Sequence, residues 1–199
     1  MSNSIVIVKY NAGNIRSVHS ALKRINVDAI ITDDVKKIKG ASRVIFPGVG
    51  EASSAMRYLR EKHLDEVLTN LAQPFLGICL GLQLMCASSE ENHCSCLSIF
   101  DSNVVKFNVP SGIKVPHMGW NTISHNNDYL FQGISNESYA YFVHSYYATL
   151  INETIATCTY GDVSFSAALG VNNYRGLQFH PEKSGSIGST ILENFLKGE

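Results

Sequence analysis

The chain has 199 residues, 45% of them hydrophobic and 17% charged, with 16 basic side chains against 17 acidic ones. That apolar content offsets the ordering entropy of one folded domain, which excludes a mainly disordered chain and leaves little room for two full domains. A net charge of -1 provides no electrostatic footprint for nucleic acid.

Met1 to Val8 lacks the basic flank and long apolar core of a secretory signal, so the chain is expected in the cytoplasm. Ile5 to Val8 reads as a buried strand. After the turn Tyr10-Asn11-Ala12-Gly13-Asn14, the apolar residues Ile15, Val18, Leu22 and Ile25 share one face of a helix. Ala29 to Thr32 is a second strand and Arg43 to Phe46 a third, stopped by Pro47-Gly48-Val49-Gly50. Ala52, Ala55, Met56 and Leu59 mark the next one-sided helix. The long uncharged run Val67 to Ser89 is interrupted by Asn70, Gln73, Pro74, Gly77, Gly81 and Gln83, so it divides into helix, turn, strand (Phe75 to Ile78) and helix rather than spanning a membrane.

From Val104 the period shortens to alternating runs: Val104 to Phe107, Ala140 to Ala148, Ile155 to Tyr160, Phe165 to Leu169 and Gly176 to Phe179. A last helix, Ile187 to Leu196, has Ser186 available as its cap. Strands and helices alternate first and antiparallel runs follow. The expected fold is a single α/β domain over residues 1–199, with a mostly parallel central sheet flanked by helices and a smaller antiparallel set of strands.

The chemistry concentrates in Gly77-Ile78-Cys79-Leu80-Gly81-Leu82-Gln83, where a buried strand runs straight into a helix. Flanking glycines permit a sharp, strained turn that lifts one side chain clear of the sheet, placing Cys79 as a nucleophile with the Leu80 N–H beside it for a developing oxyanion. An ordinary thiol, with a pKa of about 8.5, is only a few per cent ionised at neutral pH. A helix N-terminus contributes about 0.3–1 kcal/mol against about 1.4 kcal/mol per pKa unit, so an imidazole is needed as well. Among seven histidines, His180 in Leu177-Gln178-Phe179-His180-Pro181-Glu182-Lys183-Ser184 supplies it. In an extended segment residues two apart share a face, so Glu182 would orient His180. Cys79, His180 and Glu182 together have the parts for acyl transfer. Pro47-Gly48-Val49-Gly50 could complete an oxyanion site with backbone N–H groups.

Each piece has a bland alternative: a glycine-flanked core cysteine, a solvated His-Pro turn, a plain strand-to-helix turn. Cys86, two helical turns beyond Cys79, is a core position, and His144 in its aromatic strand is a packed histidine. His93, Cys94 and Cys96 lack a second ligand pair, so no metal and no cofactor is expected. Five cysteines in a chain able to build a core read as reduced thiols.

These motifs resemble those of the class I (triad) glutamine amidotransferases. Further words match that family's glutaminase subunits of histidine biosynthesis: Tyr10-Asn11-Ala12-Gly13-Asn14-Ile15-Arg16-Ser17-Val18, Pro47 to Gly50, Pro116-His117-Met118-Gly119-Trp120-Asn121, Tyr141-Phe142-Val143-His144-Ser145-Tyr146-Tyr147 and His180 to Ser184. The resemblance implies hydrolysis of glutamine to glutamate, with the ammonia passed to a (β/α)8-barrel cyclase subunit in a heterodimer that makes imidazole glycerol phosphate. It makes Cys79 the nucleophile, His180 the acid/base and Glu182 its orienter. Gln83 and the backbone around Gly48, Val49, Gly50, Leu80, Ser145 and Tyr146 become the glutamine and oxyanion sites, and Asn14, Met118, Trp120 and Lys183 face the barrel. It also implies weak activity until the partner binds its nucleotide, through a peptide flip at Val49. The first turn departs from the family pattern, with Lys9 in place of an acid and Asn11 in place of a glycine. Rival readings are a glutaminase serving another synthase such as a sugar-amidinating one, a cysteine redox sensor, and a docking protein without activity. The His-Pro-Glu set argues against the last two.

Overall fold

The computed structural model describes residues 4–11 and 13–198. Ala12 of the first turn lies outside them, as do Met1 to Asn3 and Glu199. Strand β1 (Ile5–Val8), helix α1 (Ile15–Arg24), β2 (Ala29–Thr32), the short α2 (Val35–Gly40), β3 (Arg43–Gly48), α3 (Ala52–Glu61), α4 (Leu64–Thr69), β4 (Phe75–Cys79) and α5 (Leu80–Met85) form the alternating half. The second half comprises β5 (Ser88–Ser89), β6 (Cys94–Ser95), β7 (Asn103–Lys106), β8 (His117–His125), β9 (Ser138–His144), β10 (Tyr146–Ala148), β11 (Thr154–Tyr160), β12 (Val163–Val171), β13 (Tyr174–Leu177) and α6 (Gly185–Lys197).

One nine-stranded sheet runs β2-β1-β3-β4-β13-β12-β11-β8-β9, and a second runs β10-β7-β5-β6. The strands β2, β1, β3, β4 and β13 are parallel, and β12, β11, β8 and β9 continue the same sheet antiparallel. Most of the alternating runs of the second half therefore extend the central sheet, while β7 and β10 enter the smaller one. The central strands are buried on both faces, which explains why β1, β3 and β4 read as continuous apolar runs. Helix α3 buries Ala52, Ala55, Met56 and Leu59, and α1 buries Val18, Ala21 and Leu22. Among the described residues no helix is long and apolar enough to cross a membrane.

Several expected boundaries shift for identifiable reasons. Strand β3 does not stop at Phe46 but continues through Pro47 to Gly48, whose partner in the parallel ladder is Cys79. The run Ala140 to Ala148 breaks at Ser145, because β9 belongs to the large sheet and β10 to the small one. Ser186 is not a cap: α6 starts at Gly185, and the capping position is Ser184, whose hydroxyl donates instead to the His180 carbonyl at 2.7 Å. His180 itself is extended, but Pro181–Lys183 is a 3-10 turn with the proline at its start, so Glu182 reaches the imidazole by winding back rather than by strand alternation.

The elbow glycines also act differently from expectation. The positive φ falls on Cys79 (φ 56°, ψ -109°), not on Gly77 or Gly81. Gly77 and Gly81 instead permit close approach. A Cβ on Gly81 would lie 1.8 Å from the Phe46 carbonyl oxygen, and one on Gly77 2.4 Å from the Met85 sulfur. Since the first obstacle is backbone, Gly81→Ala is expected to cost about 3 kcal/mol or more, read as a lowered urea midpoint for unfolding. Wild-type stability in that variant would refute the packing argument.

Candidate active site

The parallel strands β3, β4 and β13 lie side by side, and the segments leaving their carboxyl ends supply the site, as is usual for open α/β sheets. β4 ends on Cys79. β3 delivers Gly48, Val49 and Gly50, and β13 leads through Gln178 and Phe179 to His180. A backbone conformation such as that of Cys79 costs about 1–3 kcal/mol and is held here by the packing of α5 against β3.

Imidazole and carboxylate are both buried. His180 Nδ1 donates to Glu182 Oε1 at 2.7 Å. The Asn14 amide approaches both groups, at 2.5 Å from Glu182 Oε1 and 3.2 Å from His180 Nδ1. Because Nδ1 already donates to Glu182, the acceptor for Asn14 is the carboxylate. Asn14, expected at the partner face, donates to the Glu182 carboxylate from 168 positions away in sequence. Nε2 of His180 and Oε2 of Glu182 are buried without an aligned partner. Burial opposes a charged imidazole, but hydrogen bonding and charge from Cys79 and Glu182 outweigh it and push His180 up to about 10. Burial likewise favours the neutral form of Glu182, yet His180 and Asn14 hold its carboxyl below the usual carboxylate range. The result is a site built for an imidazolium paired with a carboxylate, with the second ring nitrogen left for the thiol.

A cavity of about 280 Å³ opens on Cys79 and is lined by Val49, Gly50, Leu80, Gln83, Ser145 and Tyr146. Gly48 is not in its wall; it is buried beneath the Tyr10 hydroxyl, which a Cβ at that position would strike at 2.0 Å. Gly50 has a φ of 129°, which few other residues adopt. The same wall contains Pro116, Val143 and His144, from the motifs around Trp120 and Ser145, and Glu91, which no sequence motif places there. The Glu91 carboxylate accepts from the Ala52 N–H at 2.8 Å, so it caps α3 while presenting charge to the cavity. Gln83 donates from Nε2 to the Tyr146 carbonyl at 2.8 Å and to Gln178 Oε1 at 3.1 Å.

A second cavity of about 740 Å³ shares Val49 with the first and is bordered by Lys9, Asn14, Arg16 and Lys183. Beside it, Lys183 Nζ lies 5.6 Å from the Tyr141 ring centroid, and Tyr141 meets Trp120 edge-on at 5.9 Å. Met118 and Trp120 point outward from β8 and are 62% and 55% exposed. Among the described residues no three His, Cys, Asp or Glu side chains are grouped as metal ligands would be. Cys86 is fully buried core.

His144 is packed among Phe107, Phe142 and Phe165, yet it is not merely packed. Its Nδ1 donates to the Tyr146 carbonyl at 2.8 Å, and its Nε2 meets His117 Nδ1 at 3.0 Å. Burial pushes His117 down to about 4 and His144 down to about 3. Both rings are therefore neutral when folded, whereas an unfolded histidine takes a proton near about 6.5. The unfolded chain binds more protons between those values, so stability falls as pH drops from about 6.5 toward about 4. Urea midpoints measured across that range should decline, and a His117→Gln/His144→Gln chain should decline less steeply; equal slopes would contradict this origin.

The sequence pattern of the family described as Glutamine amidotransferase class-I matches residues 5–198. This chain belongs to that amidotransferase family. Within it, the chain is 53% identical to the imidazole glycerol phosphate synthase subunit HisH of Bacteroides thetaiotaomicron, over 96% of this chain and 98% of that one. It is 45% identical to the protein of the same name from Shewanella loihica, over 99% and 92%. Solved structures share the fold at low identity. A glutamine amidotransferase from Thermotoga maritima superposes with a TM-score of 0.68 at 15% identity, covering 100% of both chains. PurLQS from Thermotoga maritima gives 0.70 at 18%, covering 99% of each.

Proposed function

We propose that this chain, acting as one amidotransferase domain over residues 1–199, hydrolyses glutamine to glutamate and ammonia and passes the ammonia to a (β/α)8-barrel cyclase subunit that makes imidazole glycerol phosphate in histidine biosynthesis. The observation that carries the reading is the buried His180–Glu182 pair with its free Nε2 directed to an elbow cysteine, in a chain about half identical to a protein named as part of that synthase. In this mechanism the Cys79 proton already rests on His180 Nε2, as the raised imidazole requires, and the sulfur attacks the side-chain carboxamide as a thiolate. The tetrahedral oxyanion is met by backbone N–H groups of Leu80 and of the Val49–Gly50 segment. His180 returns the proton to the leaving nitrogen, releasing ammonia, and then activates water to hydrolyse the thioester. Glu182, steadied by Asn14, keeps the imidazole oriented throughout. The Glu91 carboxylate and Gln83 lie where an α-ammonium would be recognised, and Ser145 and Tyr146 where an α-carboxylate would sit.

Met118, Trp120 and Lys183 form the face on which the cyclase docks, in a cytoplasmic heterodimer that keeps ammonia from bulk water. Free cysteines throughout the described residues accord with a reducing compartment. Mixing the chain with the cyclase and its ribonucleotide ligand is expected to raise glutamate formation by about 10²–10³-fold, the scale of gaining one oxyanion donor. No increase over the lone chain would reassign the partner.

A further inference from the structure

Gln178 is fully buried beside the elbow, and the proposed mechanism gives it no task. Its orientation is fixed from outside. The Tyr146 carbonyl can only accept, so Gln83 must present Nε2 to it, at 2.8 Å. The second N–H of the same nitrogen lies 3.1 Å from Gln178 Oε1, which must then be the carbonyl oxygen. That leaves Gln178 Nε2 facing Cys79 Sγ at 3.9 Å. The Tyr146 carbonyl is fixed in turn from its far side. Asn121 Oδ1 accepts from the Thr122 N–H at 2.9 Å, so its Nδ2 points to His117 Nε2, 3.3 Å away. His117 then donates to His144, and His144 to Tyr146. The two runs of donors converge on the Tyr146 carbonyl, and it is the arm through Gln83 that fixes which end of the Gln178 amide faces Cys79.

We infer that the Gln178 side-chain amide is a further catalytic donor, directed by Gln83 onto the Cys79 sulfur, where it stabilises the thiolate. With the thiol proton on His180 Nε2, negative charge sits on Sγ in a buried setting. His180 answers it from one side and the Gln178 N–H from another. At 3.9 Å the Gln178 N–H is within hydrogen-bond reach of sulfur, and a hydrogen bond to an ionised acceptor is about twice as strong as one to a neutral group. The inference rests on Cys79 acting as the nucleophile, as proposed above, but not on which synthase the chain serves.

The test follows alkylation of Cys79 by iodoacetamide against pH in the full chain, read on the Cys79 peptide by mass spectrometry so that the other four cysteines do not contribute. Gln178→Met keeps the volume and removes the donor. At pH values below the midpoint its alkylation rate should fall about tenfold, with the limiting rate at high pH retained. A folded Gln178→Met chain with an unmoved midpoint overturns the inference. A readout in the unsubstituted chain guards against a variant that fails to fold: one glutamine side-chain ¹⁵N–¹H pair should titrate with Cys79 and stop doing so in Cys79→Ser, and the absence of such a signal also overturns it. If the midpoint moves while the chain forms no glutamate with any partner, the proposed function falls and the Gln178 assignment stands.

Discussion

Cys79→Ala should lower glutamate formation by about 10⁴–10⁶-fold, in the lone chain and in the complex alike, while leaving the unfolding midpoint the same or higher. The magnitude follows from the division of labour in the site. In the proposed mechanism His180, the oxyanion donors and the binding groups around Gln83 all act on a carboxamide that the sulfur has attacked, so without Sγ they would have no intermediate to stabilise. Stability should not suffer because alanine keeps the same Cβ on this strained backbone and removes only one sulfur atom, whose ionised form is costly to bury. The variant should still bind glutamine and the cyclase. Residual activity within tenfold of the parent would place the nucleophile elsewhere.

The second large effect is expected at Glu182. Glu182→Gln preserves shape but replaces the acceptor of the His180 Nδ1–H with an amide that can present either a donor or an acceptor. By analogy with amide replacement of the aspartate in a serine-protease triad, kcat should fall about 10³–10⁴-fold with KM little changed. Linkage gives the change a pH signature. The carboxyl of Glu182 is held below its ordinary value in the folded chain, so its contribution to stability is present above about 4.5 and is lost as pH falls through the folded value. His180 is raised to about 10, so its contribution is complete below about 6.5 and is lost as pH climbs through about 10. The stability difference between parent and Glu182→Gln should therefore be widest between those limits. Urea midpoints at acidic, neutral and alkaline pH read it directly, and a difference that is flat with pH would mean that the pair is not ionic.

The parallel half of the sheet is legible in the sequence because its central strands are buried on both faces and its helices on one, while the edge strand β2 shows as a β-branched run although Ile30 and Ile31 are exposed. Ile5–Val8 and Ala29–Thr32 stand where the apolar runs stand, and the one-sided spacing of α3 survives residue for residue. β8 does not announce itself as a strand because its alternation is inverted. His117 and Asn121 point inward, into the histidine chain and onto the Thr159 carbonyl, while Met118 and Trp120 point out. A pattern scan for apolar-inward alternation rejects such a strand, and the reason lies in its outer surface. Helix α2 is equally silent, because six residues with one buried apolar side chain, Ile38, carry no period.

At the site, Cys79, His180 and Glu182 are readable from two short motifs. Their geometry is only partly so, since the 3-10 turn at Pro181 replaces the extended segment that the proline predicts. The Asn14 contact with Glu182 and the Glu91 wall depend on tertiary placement that no local pattern encodes. Gln178 does leave a signal: it sits two residues before His180, within the same motif, but the role proposed for it emerges only from the amide chain that orients it.

Everything proposed for the site turns on a covalent bond between the Cys79 sulfur and the side-chain carbonyl carbon of glutamine. The most direct measurement incubates the chain with a glutamine analogue that carries an electrophile in place of the carboxamide, followed by peptide mass spectrometry. One adduct is expected, on Cys79, suppressed by excess glutamine and slowed by Glu182→Gln. A chain that stays unmodified, or is modified at another cysteine with Cys79 intact, would contradict it.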